Sequence, residues 1–419
     1  MLSLGASGPF WLDWQRRATW AGAGSALHCL DGNLSMNGLI VPFSESRVDM
    51  VRSSDGWGFD ATGLLRQFDP DVVRATDAGL YTEPSSEGLL TNPEDVHFWA
   101  DDGAASSRTG EDIGYFKIAS VSSDGADWHR KRSNVINVLA DESYSLSVYF
   151  RFGSSNAIQV MARVPDGAGG YAFPAIQAAS NEVLTNVTID GKSSFSNLKL
   201  AQIGSLYQLT ATLEILHDGE IHIGPGPYSA TAGEYVDIAG VQLEAGSVTT
   251  SFIVGGGLRS HDTLSFDLSA VDLTGGFYGV WRGAVAGWNN DWDRILEFGS
   301  ASGHDYVMLR ANGSGTQLRL SYYDVSEVEK EPAPVTEAFS WSGPHEIIFG
   351  VGPNFTQLII DGVATSVADL SDYSSVDLTT LFLGASHTGG SRGTLRTDEL
   401  KLMPGLPTTA LLMGEVTAS

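Results

Sequence analysis

A single cysteine, Cys29, is all that 419 residues contain, so the chain can build neither an intrachain disulfide nor a multi-cysteine metal site. Basic residues are scarce too: 24 Lys and Arg stand against 50 Asp and Glu, a net charge of −26. That deficit argues against nucleic acid as a partner, because neutralising phosphates takes clustered Lys and Arg. It disfavours an anionic membrane surface for the same reason. No stretch reaches the ~20 apolar residues of a membrane-spanning helix, so membrane insertion is not expected. "RRATWAGAGSALHC" has a basic start and an apolar run, but Gly and Ser interrupt the run before Cys29, so no processed signal peptide is expected. Uninterrupted helical windows are rare.

What is abundant points the other way. Forty-nine glycines and 10% aromatic residues, with many Ser, Thr, Asp and Asn clusters, suit short strands joined by turns. The length exceeds what one compact core supports, so two or three domains are expected. From Tyr115 onward period-two alternation dominates. In "YSLSVYFRF", Tyr144, Leu146, Val148, Phe150 and Phe152 share one face, with Ser145, Ser147, Tyr149 and Arg151 on the other, which predicts a half-buried strand. "AIQVMARV" and "LYQLTATLEI" repeat the pattern. A second alternating block begins near Thr263 and includes a two-residue hairpin signal at Asp361-Gly362.

The fold class that follows is all-β: two antiparallel β-sandwiches in tandem, preceded by an irregular N-terminal region. The expected divisions are 1–92, a lead-in; 93–257, the first sandwich; 258–405, the second; and 406–419, a C-terminal tail. Between the sandwiches lies "AGVQLEAGSVTTSFIVGGGLRS". Val236 and Ile238 share a phase that Val241 and Leu243 do not continue, so a β-bulge is expected at Ala239-Gly240. The three glycines at 255–257 read as a hinge.

"GVQLEAGSVTTSFI" resembles the closing strand of a carbohydrate-binding-like jelly roll found in fibre and head-spike proteins of tailed phages and gene-transfer-agent-like particles. "GLLTNPEDV" and the preceding Gly79, Leu80, Tyr81, Glu83 and Pro84 are similar to the lead-in of that family, and "ADESYSLSVYFRFGS" to one of its strands. Downstream, "RILEFGS", "YVMLRANGSG" and "LFLGASHTGGSRGTLRTDELKL" resemble a concanavalin-like or laminin-G-like jelly roll. The resemblance covers roughly residues 48–403, and QLEAG is its most specific piece. After that motif the family commonly has Tyr-Ile-Pro-Thr where this chain has Phe252, Ile253, Val254 and Gly255. The resemblance implies a non-enzymatic, homotrimeric appendage on a virion surface, made in the bacterial cytoplasm, that binds host surface polysaccharide. It also implies contact with other virion proteins through the N-terminal region. The alternatives are a purely structural collar, decoration or connector protein, and a polysaccharide-degrading enzyme.

The residues themselves bear on these alternatives. A glycosidase needs two carboxylates ~5–10 Å apart across a sugar, whereas the acids here sit mostly in turns that Asp favours. His217 and His222 flank an Asp-Gly turn and do not make a zinc pair. No cofactor is expected, calcium in the "WNNDWD" loop being the one candidate. Sugar rings stack on exposed aromatics while Asp and Asn bond their hydroxyls, so Trp288, Asn289, Asn290, Asp291, Trp292 and Asp293 form the candidate carbohydrate site, with Trp281 expected in the core. The basic cluster Trp128, His129, Arg130, Lys131 and Arg132 suits either an anionic polysaccharide or an acidic neighbouring subunit. Phe10, Trp11, Trp14, Arg16, Arg17 and Trp20 suit a protein interface and are the candidate virion anchor.

Overall fold

The computed structural model describes residues 27–30, 33–36, 39–41, 48–60, 62–76, 79–125, 130–187, 191–288, 292–300, 306–312, 317–323, 329–330, 343–367, 373, 378–386, 393–405, 408–410 and 412–413. It is all-β, built from antiparallel sheets. None of the described helices is long and apolar enough to cross a membrane. The chain divides into two compact units. One comprises Arg52–Arg74 and Glu83–His261, and is called here the first sandwich; the other comprises Met1–Val51, Ala75–Thr82 and Asp262–Ser419, the second sandwich.

The first sandwich faces two sheets across one core. The larger runs Ala104–Ile113, Phe116–Ser123, Tyr235–Ala245, Ser143–Phe152, Leu206–Glu214, Ser194–Ile203; the smaller runs Ile136–Val138, Gly219–Pro227, Ala157–Pro165, Ala175–Ala179, Leu184–Val187. The alternating apolar residues of both meet inside, among them Leu146, Val148 and Phe150 from one sheet and Ile158, Val160, Ala162, Ile221 and Ile223 from the other.

The bulge is where the phase slip puts it. Tyr149 pairs with Gly240 and Phe150 with Ile238, leaving Ala239 as the extra residue. One inserted residue returns Val241 and Leu243 to the face of Val236 and Ile238, so all four reach the main core. Ala239 turns to the opposite side, into a second cluster with Trp57, Leu65, Phe116, Tyr149 and Phe252. Gly240 belongs there because nothing larger fits: a Cβ would sit 2.7 Å from the Phe116 ring and 3.0 Å from that of Phe252.

This second cluster corrects the expectation of a half-buried Ser143–Phe152 strand. Ser145, Ser147 and Tyr149 are buried as fully as Leu146 and Val148, because the hairpin Gly56–Phe59/Leu65–Phe68 and the segment around Phe252 cover the outer face. Phe59 packs 5.3 Å and Phe252 5.5 Å from the Tyr149 ring. Much of the expected lead-in therefore belongs to the sandwich it precedes. The expected hinge at Gly255–Gly257 is also built in. All three glycines have φ between 71° and 83°, Gly255 N–H donates to Glu94, and Gly257 pairs with Gly88.

The second sandwich has one sheet ordered Leu39–Val41, Asn33–Met36, Leu27–Leu30, Thr394–Pro404, Phe277–Gly287, Pro344–Gly352, Phe355–Ile360, Val363–Ala364. The other is ordered Glu329–Lys330, Gln317–Tyr323, Tyr306–Asn312, Arg294–Ser300, Leu378–Leu383, Thr263–Asp267, Val48–Val51. Residues before 92 contribute here as well: Val48–Val51 pairs with Thr263–Asp267, and Gly79–Thr82 with Thr394–Pro404. The expected C-terminal tail is docked in part, since Leu412 is fully buried among Val280, Ile348, Ile359 and Met403.

Candidate functional site

The QLEAG motif is a clasp. Glu244, wholly buried on the outer side of its strand, accepts hydrogen bonds from Ser86 Oγ, Thr250 Oγ1, the Thr250 N–H at 3.1 Å and Gln242 Nε2 at 2.7 Å. Gln242 in turn donates to the Ser251 carbonyl at 3.2 Å and accepts from the Ile253 N–H at 2.5 Å. The two side chains fold the following Thr-Ser-Phe-Ile back across their own sheet and set Phe252 into the second cluster. Burial pushes the Glu244 carboxyl above the usual range, against those hydrogen bonds, which pull it down.

A second knot lies beside it. Glu83 is buried between Arg74 and Arg259, pairing with Arg74 Nη1 at 2.8 Å and with Arg259 Nη1. Ser251 N–H and Oγ each donate to the same carboxylate at 2.7 Å. Arg52, also buried, reaches the carbonyls of Ser54, Asp69 and Val72. Gly56 leaves room for this stack, since a Cβ there would lie 2.6 Å from the Arg52 guanidinium carbon. These groups are buried and bonded to one another, so they hold the fold together.

The tryptophan loop is only partly assembled as expected. Trp292 is 45% exposed with the Arg310 guanidinium 4.1 Å from its ring centroid, and Trp288 is half-buried. Asp293, by contrast, is fully buried, which removes its carboxylate from reach of a dissolved sugar. Asn289, Asn290 and Asp291 lie outside the described residues, as do Phe10, Trp11, Trp14, Arg16, Arg17 and Trp20. Trp281 is core, its indole N–H donating to Thr397 Oγ1 at 2.9 Å. Among the described residues no group of three or more His, Cys, Asp or Glu is arranged to hold a metal ion. His222 Nδ1 lies 3.0 Å from the Ser133 carbonyl.

Two members of the basic cluster, Arg130 and Lys131, meet acids within the chain. Arg130–Arg132 pairs with Ala100–Asp102; Lys131, fully buried, bonds Asp101 at 2.6 Å and Ser106 at 3.0 Å, while Arg130 pairs with Asp102 at 3.1 Å. Trp128 and His129 lie outside the described residues.

Arg130 opens onto a surface the sequence reading passed over, the outer face of the smaller sheet in the first sandwich. Gln159, Met161 and Arg163 alternate outward there from Ile158, Val160 and Ala162. Pairing sets Gln159 beside Gln177 and Gly226, Met161 beside Gly224, and Arg163 beside His222. With glycine at 224 and 226, the neighbouring strand adds no side chains at those two positions. Tyr171, 44% exposed, carries the Arg163 guanidinium 3.6 Å above its ring; Phe173, 41% exposed, lies 5.8 Å from that of Arg130. Aromatic platforms beside amide and guanidinium edges are what a sugar needs: C–H faces stack, hydroxyls bond. The signal was present as the outward phase of "AIQVMARV", but which strands flank it is set by pairing alone.

No protein-family model matches the chain, and no curated protein matches it by sequence. Among solved structures it is similar to domain 4 of AbnA, a GH43 extracellular arabinanase from Geobacillus stearothermophilus, in complex with arabinotriose (11% identity, 40% of this chain, 79% of that one, TM-score 0.32). It is also similar to the CBM40 of the Ruminococcus gnavus IT-sialidase bound to α2,6 sialyllactose (12%, 36% and 92%, TM-score 0.30), and to sheep galectin-11 in complex with glycerol (17%, 32% and 93%, TM-score 0.22). Similarity this distant transfers neither ligand nor activity to the chain.

Proposed function

We propose that this chain is a non-enzymatic glycan-binding protein, and that the saccharide rests on the outer face of the Ala157–Pro165 sheet against Tyr171 and Phe173. The observation that carries the reading is that face itself: two half-open aromatic rings, each beside a guanidinium, next to a row of Gln159 and Gln177. The setting we propose is a virion surface, with the chain as head spike or tail fibre, anchored through Phe10 to Trp20 and displayed as a homotrimer. The resemblance of the QLEAG segment to phage fibre proteins supports that setting. Several copies on one particle multiply a weak single-site affinity.

The test is retention of the purified protein on immobilised host surface polysaccharide. Tyr171→Ala with Phe173→Ala is expected to weaken retention at least tenfold, about 1.4 kcal/mol. Trp292→Ala serves as the comparison, and loss of binding there alone moves the site to the tryptophan loop of the second sandwich. No retention of the wild-type chain sinks the glycan reading. Antibody labelling that leaves particles bare sinks the virion setting, and labelled particles without glycan retention favour a structural virion component.

A further inference from the structure

We infer that this same sheet face takes an anionic saccharide, one bearing carboxylate or sulfate groups. The inference rests on the glycan reading and adds the sign of the charge. Alternation along Arg130–Arg132 sends Lys131 inward to Asp101 and leaves Arg130 and Arg132 on the opposite side. Arg130 crosses above Gly224, where a Cβ would collide with its side chain, and contacts Met161. Arg163, from the strand carrying Met161, lies over Tyr171.

Three guanidiniums thus gather at one place. Burial draws Arg130 below the usual arginine range; Asp102 works against this, while repulsion from Arg132 and Arg163 adds to it. Asp102 pairs with Arg130; among the described residues Arg132 and Arg163 make no ion pair. Two more acids lie on the neighbouring segments: Glu220, two residues before His222 on its strand, and Asp166, which accepts from the Gly170 N–H beside Tyr171. On a chain of net charge −26 such a concentration of positive charge runs against its surroundings and selects a ligand of opposite sign. Stacking on Tyr171 leaves the Arg163 guanidinium edge to grip a planar carboxylate or a sulfate through paired N–H donors. A neutral sugar would use the rings and leave the charges unanswered.

The full chain is titrated by calorimetry with polygalacturonate and its fully methyl-esterified form, and with dextran sulfate and dextran. Binding to at least one charged polymer is expected to be about tenfold tighter than to its neutral counterpart, with the gap closing in high salt. Preference for polygalacturonate assigns a carboxylate ligand, and preference for dextran sulfate alone a sulfated one. Arg163→Gln should erase most of the preference and keep the thermal unfolding midpoint; Arg163→Lys should restore part of it. Equal binding of charged and neutral polymers overturns the inference and spares the glycan reading; binding of neither overturns the inference, and retention on host surface polysaccharide then decides the glycan reading. A preference that survives combined Arg132→Gln and Arg163→Gln also overturns it.

Discussion

Glu83→Ala is expected to destabilise the first sandwich by roughly 3–5 kcal/mol, measured by denaturant unfolding with Trp57 fluorescence as the probe. The reason is asymmetry. Arg74 and Arg259 are buried, and Glu83 is the carboxylate that both engage; deletion strands two desolvated cations along with the Ser251 N–H. A buried pair contributes little net stability when intact, but breaking it is costly. The two arginines also belong to one network, so the effects are not additive. Adding Arg259→Ala to Glu83→Ala should therefore cost less than the single Arg259→Ala change does in the wild-type background. Strict additivity would show that the three groups act independently.

Glu244→Ala is the second large effect, with an expected loss of about 3 kcal/mol, since it leaves the Thr250 N–H without its acceptor and takes one of two acceptors from the Gln242 amide in a dry setting. Glu244→Gln separates charge from shape. Burial raises the Glu244 carboxyl above its ordinary value of 4.5, so the folded state holds that proton more tightly than the unfolded chain does. The stability this group contributes is therefore fullest below the unfolded value and declines as pH climbs through the raised folded one. Other carboxyls work the opposite way: Asp60, beside Thr62 and Arg66, and Glu111, beside Arg151, are held low. The comparison that isolates Glu244 is the difference between wild type and Glu244→Gln. Wild type should gain on the variant as pH falls from neutral toward 4.5, and a constant difference across that range would refute the assignment.

Legibility in the sequence followed locality. The bulge at Ala239 could be read because a slip in apolar phase is written in consecutive residues, and the all-β class because alternation is a period-two property of single strands. The outward burial of Tyr149 could not, because what covers it, Trp57, Leu65 and Phe252, comes from segments far away in sequence. The reach of the lead-in was hidden for the same reason. Lys131 looked like an exposed charge until Asp101 was set opposite it by strand pairing. The tryptophan loop drew attention because aromatics and acids are adjacent there in the chain. The Tyr171–Arg163 face was missed because its members become neighbours only when Ala157–Pro165 lies between its two partner strands.

The Glu83 knot also sets a schedule for synthesis. Glu83 and Arg259 stand 176 residues apart, so a chain leaving the ribosome carries its Gly56–Phe68 hairpin for most of a domain's worth of translation before the partners that cover it exist. Contacts that distant form late, and until then Trp57 and Leu65 face the solvent or a chaperone. Chains truncated before Thr250 should leave Trp57 open to an aqueous quencher, while chains reaching His261 should protect it; folding of this sandwich is thus tied to arrival of its last dozen residues.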